Sequence, residues 1–430
     1  MRLIFLALAL LATPAAAKLA PAEQKIVRIV DSERDRSVVL LERLVNQNSG
    51  SLNFPGVEAV GRMIRSELEP LGFAVRWVPM AEAGRAGHIL AVHKGSGRGK
   101  RMLLIGHLDT VFEPDSPFQR FARKDGSVAE GPGIGDDKGG MVVMVAALRA
   151  MKAAGTLKDA DIEIVLTGDE EDSGSPIALA RRDLLAAGGR ADIALDFEGL
   201  AQESGLDMGS IARRGSASWQ VTARGRTGHS SGIFSEAMGD GAVYELARIL
   251  AAFRAELPEP NLTFNVGLVV GGATAELDKD LIRGTATGKT NIVPPVAIAR
   301  GDLRALSLEQ QQRAIAKMKD IVGRHLPGSD SELAFDEGGY PPMAPTPASR
   351  ALLGRLNTVN RDLGLAEMGE LDPLKRGAGD IGFVAHLVPG LVGLGTAGGG
   401  AHAPGETVDL ASIPRQAKRA AILMTRLSRP

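Results

Sequence analysis

Short apolar runs, each leading into or out of a helical pattern, constrain this chain more than any other feature. Residues 102–105 read Met-Leu-Leu-Ile, 161–166 and 191–197 are also rich in Ile, Leu, Val and Ala, and helical spacing fills 140–154. A strand without a polar face belongs to a sheet covered on both sides, and intervening helices supply the crossovers that parallel pairing requires. The expectation is an α/β fold with a mixed, largely parallel sheet flanked by helices. Helical spacing also covers 25–45 and 57–68, and strands are predicted at 73–78 and 89–93. Ser175-Pro176 predicts a capped helix start.

The pattern changes after Arg214. Residues 216–223 alternate, 241–253 are helical, 263–270 and 296–303 read as strands, 308–325 as a helix and 333–336 as a strand. This β-α-β-β-α-β run resembles a ferredoxin-like unit. Helical spacing at 349–363 and 410–427, with a strand at 391–394, then returns to the first unit. The expected organisation is a leader at 1–17, one domain formed by 18–213 and 329–430, and a domain inserted at 214–328.

Composition removes several functions. Lysine plus arginine is 50 and aspartate plus glutamate is 51, so the net charge of −1 gives no general attraction to nucleic acid or anionic membrane. There is no cysteine, so disulfides, thiol nucleophiles and sulfur-ligated metals are excluded. Arg2, the apolar stretch 3–12 and Ala15-Ala16-Ala17 read as a cleaved export signal. The expectation is a periplasmic or secreted protein, off the membrane once cleaved.

Four segments could share a site. Gly106-His107-Leu108-Asp109-Thr110 ends an apolar strand, where residues two apart face one side. Gly131 to Gly140 carries Asp136 and Asp137 on a glycine-rich loop before a helix. Thr167 to Asp172 places Asp169, Glu170, Glu171 and Asp172 in succession after another strand, a costly arrangement unless a cation offsets the repulsion. Glu198 ends a third strand, and His402 lies in a late glycine-rich loop. Ligands of open α/β sheets bind beyond the carboxyl ends of the strands, where most of these segments fall.

In this order, GHLDT, GPGIGDDKGG, TGDEE, Glu198 and GGGAH resemble the dizinc metallopeptidases that include glutamate carboxypeptidase, aminoacylase and succinyl-diaminopimelate desuccinylase. The glutamate carboxypeptidase-like branch is the most similar. The resemblance implies that His107 and Glu198 bind one zinc, Glu171 and His402 the other, and Asp136 both, with Co2+ or Mn2+ as possible substitutes. It gives Asp109 the orientation of His107, makes Glu170 the general base, and expects a cis Asp136–Asp137 peptide. The two ions would lower the pKa of a shared water, and Glu170 would pass its proton to the departing amine.

The resemblance also implies that 214–328 is a lid that can pair two subunits, and that His229, Asn291 and Arg304 contact substrate. Arg376 is a further anchor, since a guanidinium pairs bidentately with a carboxylate. Gly199 after Glu198 and Gly377-Ala378-Gly379 depart from the branch and bear on side-chain preference. The implied substrate is a small peptide or an N-acyl amino acid, with amide hydrolysis releasing its C-terminal amino acid. An aminoacylase-like amidohydrolase would use the same site. Gly228-His229-Ser230-Ser231-Gly232 also matches a nucleophile elbow, so a serine hydrolase using Ser230 is an alternative. A binding protein without turnover would leave Glu170 no task.

Overall fold

A computed structural model describes residues 19–429, so the leader expected at 1–17 lies outside the described residues. In chain order, the strands of the two main sheets begin with β1 (Ala74–Pro79), β2 (Gly87–His93), β3 (Arg101–His107), β4 (Asp161–Thr167) and β5 (Ile193–Asp196). They continue with β6 (Ala217–Gly225), β7 (Thr263–Gly272), β8 (Val296–Arg304), β9 (Ser329–Phe335) and β10 (Gly390–Val392). The first sheet has the order β1-β2-β4-β3-β5-β10. The β4–β3, β3–β5 and β5–β10 pairs are parallel, whereas β1–β2 and β2–β4 are antiparallel. This is the mixed, largely parallel sheet that the apolar runs predict.

Neighbouring residues of β3 explain its missing polar face. Leu104 packs into a cluster with Leu41, Ile64, Val143 and Ile422 from the helices on one side. Leu103 and Ile105 join Leu184 and Val384 in a second cluster on the other. Helix Gly139–Ala154 is buried along almost its whole length. A Cβ on Gly140 would fall 2.0 Å from both the Asp137 carboxylate and the Phe197 carbonyl, so only glycine fits there. Gly140→Ala should therefore cost about 1–3 kcal/mol as an overpacked site. Chemical denaturation measures it, and an unchanged midpoint would mean that the backbone yields freely.

Between Ala217 and Phe335 the chain builds a second sheet of order β7-β8-β6-β9, all antiparallel. Helices Ala242–Glu256 and Leu308–Val322 complete the β-α-β-β-α-β run. The unit has its own core, centred on fully buried Trp219 edge-on to Phe253. Strands Thr274–Leu277 and Gly284–Thr287 form a hairpin that the sequence pattern does not assign.

The capped start at Ser175 is not found. The helix is the short Ile177–Ala180, and extended Pro176 occupies the position before it, leaving the Ser175 hydroxyl one residue too early to cap. A further small sheet joins Gly398–Gly399, Thr407–Asp409, Val128–Glu130 and Ala122–Arg123, bringing the late glycine-rich loop against residues 131–138. Among the described residues, no helix is long and apolar enough to cross a membrane.

Candidate active site

Because β3, β4 and β5 run parallel, their carboxyl ends share one edge, and His107, Glu170, Glu171 and Glu198 follow at that edge. Buried His107 closes β3 and places its Nε2 3.0 Å from Asp136 Oδ1. The second oxygen of Asp136, Oδ2, lies 3.1 Å from His402 Nε2, which is also 3.0 Å from Glu171 Oε2. One carboxylate thus faces two imidazoles, one through each oxygen. The ligand atoms of His107, Asp136 and Glu171 all fall within 4.8 Å of one another. The Asp136–Asp137 peptide is cis.

These groups perturb one another strongly. Burial opposes charge on His107, but the Asp109 and Asp136 carboxylates outweigh it and hold the imidazole well above its usual pKa. Burial likewise works against the Asp136 carboxylate, yet hydrogen bonds to His107 and His402 keep it far below the ordinary range. Glu170 moves the other way: burial lifts it well above its usual value, His107 opposes the shift, and the Glu198, Asp380 and Glu171 charges reinforce it.

Asp109 serves more than His107. Its Oδ1 is 3.4 Å from His107 Nδ1, a nitrogen that also lies 3.1 Å from the Asp109 carbonyl oxygen. The Asp109 carboxylate accepts the backbone N–H groups of Glu170 at 3.0 Å and Glu171 at 3.1 Å, and the Ser51 hydroxyl at 2.6 Å. A single fully buried side chain therefore fixes the backbone of both glutamates.

Glu198, Arg304 and Arg376 line the same cavity of about 730 Å³ as Asp136, Glu170, Glu171 and His402. The Glu198 carboxylate is paired with Arg213, and Arg376 Nη2 lies 3.6 Å away. His229 and Asn291 are exposed and outside this lining; His229 Nδ1 accepts from the Ser231 hydroxyl at 2.8 Å, and the Asn291 carbonyl accepts from Ser230 N–H. Ser230 opens a three-residue turn after a two-residue strand, and the next helix begins only at Ala242. The strand–turn–helix geometry of a nucleophile elbow is therefore missing, and His229 contacts the wrong serine for a base.

Several participants escape a sequence reading. The Glu406 carboxylate accepts the N–H groups of Gly133, Gly135 and Asp136 at 2.7–3.0 Å, fixing the loop that carries Asp136. Fully buried Arg181 spans Asp169 at 2.6 Å, Asp380 at 2.7 Å and the Tyr340 hydroxyl at 2.9 Å, and that hydroxyl donates to the Glu170 carbonyl. Buried Asp137 accepts the His107 N–H at 3.3 Å. Glu406, Arg181 and Tyr340 read in the sequence as ordinary polar residues, whereas Asp137 already stands beside Asp136 in the glycine-rich loop. Of the first three, only Glu406 had a nearby signal, four positions after His402 in the same loop.

Two imidazoles and clustered carboxylates are the nitrogen and oxygen donors that a divalent cation such as zinc accepts. The pairing of each Asp136 oxygen with a separate histidine suits two ions, with Asp136 between them, His107 on one side and Glu171 with His402 on the other. The fold and site define an enzyme of the metallopeptidase and amidohydrolase class.

Residues 103–426 match the model of peptidase family M20/M25/M40, and the chain belongs to that family. It is 28% identical over 426 residues to carboxypeptidase G2 of Pseudomonas sp. (strain RS-16), covering 97% of this chain and 96% of that one. It is also 29% identical over 300 residues to a succinyl-diaminopimelate desuccinylase of Novosphingobium aromaticivorans, covering 67% and 73%. The fold is shared with the YXEP protein of Bacillus subtilis, described as a dinuclear metal binding peptidase. That match has a TM-score of 0.62 at 15% identity and covers 93% of this chain and 99% of that one.

Proposed function

We propose that this enzyme hydrolyses an amide bond to release the C-terminal amino acid of a small peptide or N-acyl amino acid, with two zinc ions and Glu170 as general base. The observation that carries the reading is the Asp136 carboxylate set between His107 and His402, with Glu171 beside it. His107 and Glu198 would hold one ion, Glu171 and His402 the other, and Asp136 both. When bound, the ions would supply Lewis acidity toward the scissile carbonyl and toward water. Carboxypeptidase G2 along nearly the full length, and the dinuclear neighbour in fold, support this assignment.

Glu170 stands beside the ligand Glu171, with its backbone held by Asp109 and Tyr340. Its raised pKa suits a carboxylate that takes a proton from water and returns it to the leaving amine nitrogen. Arg376 would meet the substrate carboxylate, with Arg304 on the same cavity wall. Removal of the leader at 1–17 and pairing of two copies through 214–328 complete the proposal. The edge strand β7, with exposed Val266 and Val269, supports the pairing.

A panel of peptides and N-acyl amino acids, with free amino acid as the readout, tests the reaction. Turnover should be abolished by a chelator and untouched by a fluorophosphonate, and the opposite pattern would return the site to a serine nucleophile. Faster turnover of acyl amino acids than of peptides would select the aminoacylase-like form. Arg376→Gln should raise KM for carboxylate-bearing substrates roughly 10- to 100-fold with little change in kcat, the scale of a lost hydrogen bond to a charged group. An unchanged KM would remove Arg376 as the anchor.

A further inference from the structure

We infer that Arg213 is a positioning residue that staples the 376–379 loop to Glu198 and thereby sets where Arg376 stands in the cavity. The role of Arg376 in this inference rests on the proposed reaction; the staple itself does not. Arg213 lies at the carboxyl end of the first sheet and is only 5% exposed. Its Nε donates to the Gly377 carbonyl at 2.7 Å, Nη2 donates to the Ala378 carbonyl, and Nη1 pairs with the Glu198 carboxylate. Nε and Nη2 are thus taken by loop carbonyls, and Nη1 faces the Glu198 carboxylate without a formed hydrogen bond, so the guanidinium ties the loop to Glu198 at the border of the cavity.

Arg376, one residue before these carbonyls, is the reverse case. Its side chain is 12% exposed, its Nε is buried without a hydrogen-bond partner, and its Nη2 stands 3.6 Å from Glu198. The two arginines therefore differ: Arg213 donates twice to loop carbonyls, whereas the Arg376 side chain makes no hydrogen bond among the described residues and keeps its donors at the cavity. The packing leaves no slack in this arrangement. A Cβ on Gly379 would fall 2.2 Å from Arg213 Nη1 and 2.6 Å from Glu198 Oε1. The next residue, Asp380, is held by Arg181 at 2.7 Å and by the Thr167 hydroxyl at 2.5 Å. The loop is anchored at Asp380 from behind and, among the described residues, at the Gly377 and Ala378 carbonyls by Arg213.

The test uses the full chain carrying Arg213→Lys, Arg213→Gln or Gly379→Ala, each beside wild type and Arg376→Gln. Hydrogen exchange of the 371–380 peptide, read without substrate, should accelerate tenfold or more in all three variants, while the peptide covering β3 keeps its wild-type rate. Lysine keeps the charge near Glu198 but has one nitrogen in place of the planar fork whose separate nitrogens meet Gly377, Ala378 and Glu198, so it should not rescue the loop. With a carboxylate-bearing substrate, KM should rise roughly tenfold or more, and adding Arg376→Gln should add little, because both changes remove one anchor. Normal exchange in Arg213→Lys and Gly379→Ala overturns the staple, whatever the activity. A raised KM with normal exchange, additive with Arg376→Gln, would make Arg213 a direct substrate ligand instead. If Arg213→Gln fails to fold, the lysine and alanine variants decide; if wild type turns over no panel member, the proposed reaction fails while exchange still decides the staple.

Discussion

Glu170→Gln should lose about 10²- to 10⁴-fold in kcat, the range that a positioned proton-transfer group contributes, while binding metal as wild type does. The two halves of that expectation have separate origins. Among the described residues the Glu170 carboxylate makes no hydrogen bond or ion pair with His107, Asp136 or Glu171, whose mutual contacts run through His402 and Asp136, so the amide should leave them in place. Backbone contacts survive as well, since Asp109 holds the Glu170 N–H and Tyr340 its carbonyl, and neither bond uses the carboxylate. What disappears is the only group proposed to carry the proton from water to amine. Metal analysis of the purified variant and steady-state kinetics check both halves. Activity within tenfold of wild type would take the general base away from Glu170, and loss of metal would make Glu170 a ligand.

The parts of this site that were legible in the sequence are those that sit on regular structure. His107 ends an uninterrupted apolar strand, Glu170 and Glu171 follow another, and Glu198 follows a third. A sheet buried on both faces leaves strong local patterns, and its chemistry collects at one predictable edge. The parts that hold those residues in place come from far along the chain. Ser51 reaches Asp109 across 58 positions, Arg181 reaches Asp380 across 199, and Glu406 reaches Gly135 across 271. Nothing local distinguishes a buried arginine such as Arg181 or Arg213 from a solvated one. The strands that bring Glu406 into position have only two or three residues, too few to show alternation. The place of Arg304 on the cavity was legible through the resemblance and that of Arg376 through the chemistry of its guanidinium, whereas His229 and Asn291 lie outside the lining.

Chelation should abolish turnover and also make the protein progressively less stable as pH rises, with zinc reversing both effects. Hydrogen bonds to Asp136 and Glu171, opposed by partial burial, push His402 up to about 11 from its ordinary 6.5. His107 moves in the same direction. A group with a raised folded-state pKa stabilises the fold fully below its ordinary value and loses that contribution as pH climbs toward the folded one. For His402 the window runs from about 6.5 to about 11. Burial raises Glu170, Glu171 and Asp137 above their ordinary 4.5, 4.5 and 3.8, so their losses begin at lower pH and add to the same slope. Asp109 and Asp136 are lowered instead; what they contribute is complete above about pH 4 and cannot offset a decline at neutral pH. Zinc changes the balance because its ligands must be deprotonated, so alkaline pH favours binding while it disfavours the chelated fold. Between pH 6.5 and 9, Tm of the chelated protein should therefore fall faster than Tm of the zinc-loaded protein. Differential scanning calorimetry across that range measures the gap. A gap that stays constant or narrows would mean that these imidazoles do not release protons when the metal binds, and His107 and His402 would then not be its ligands.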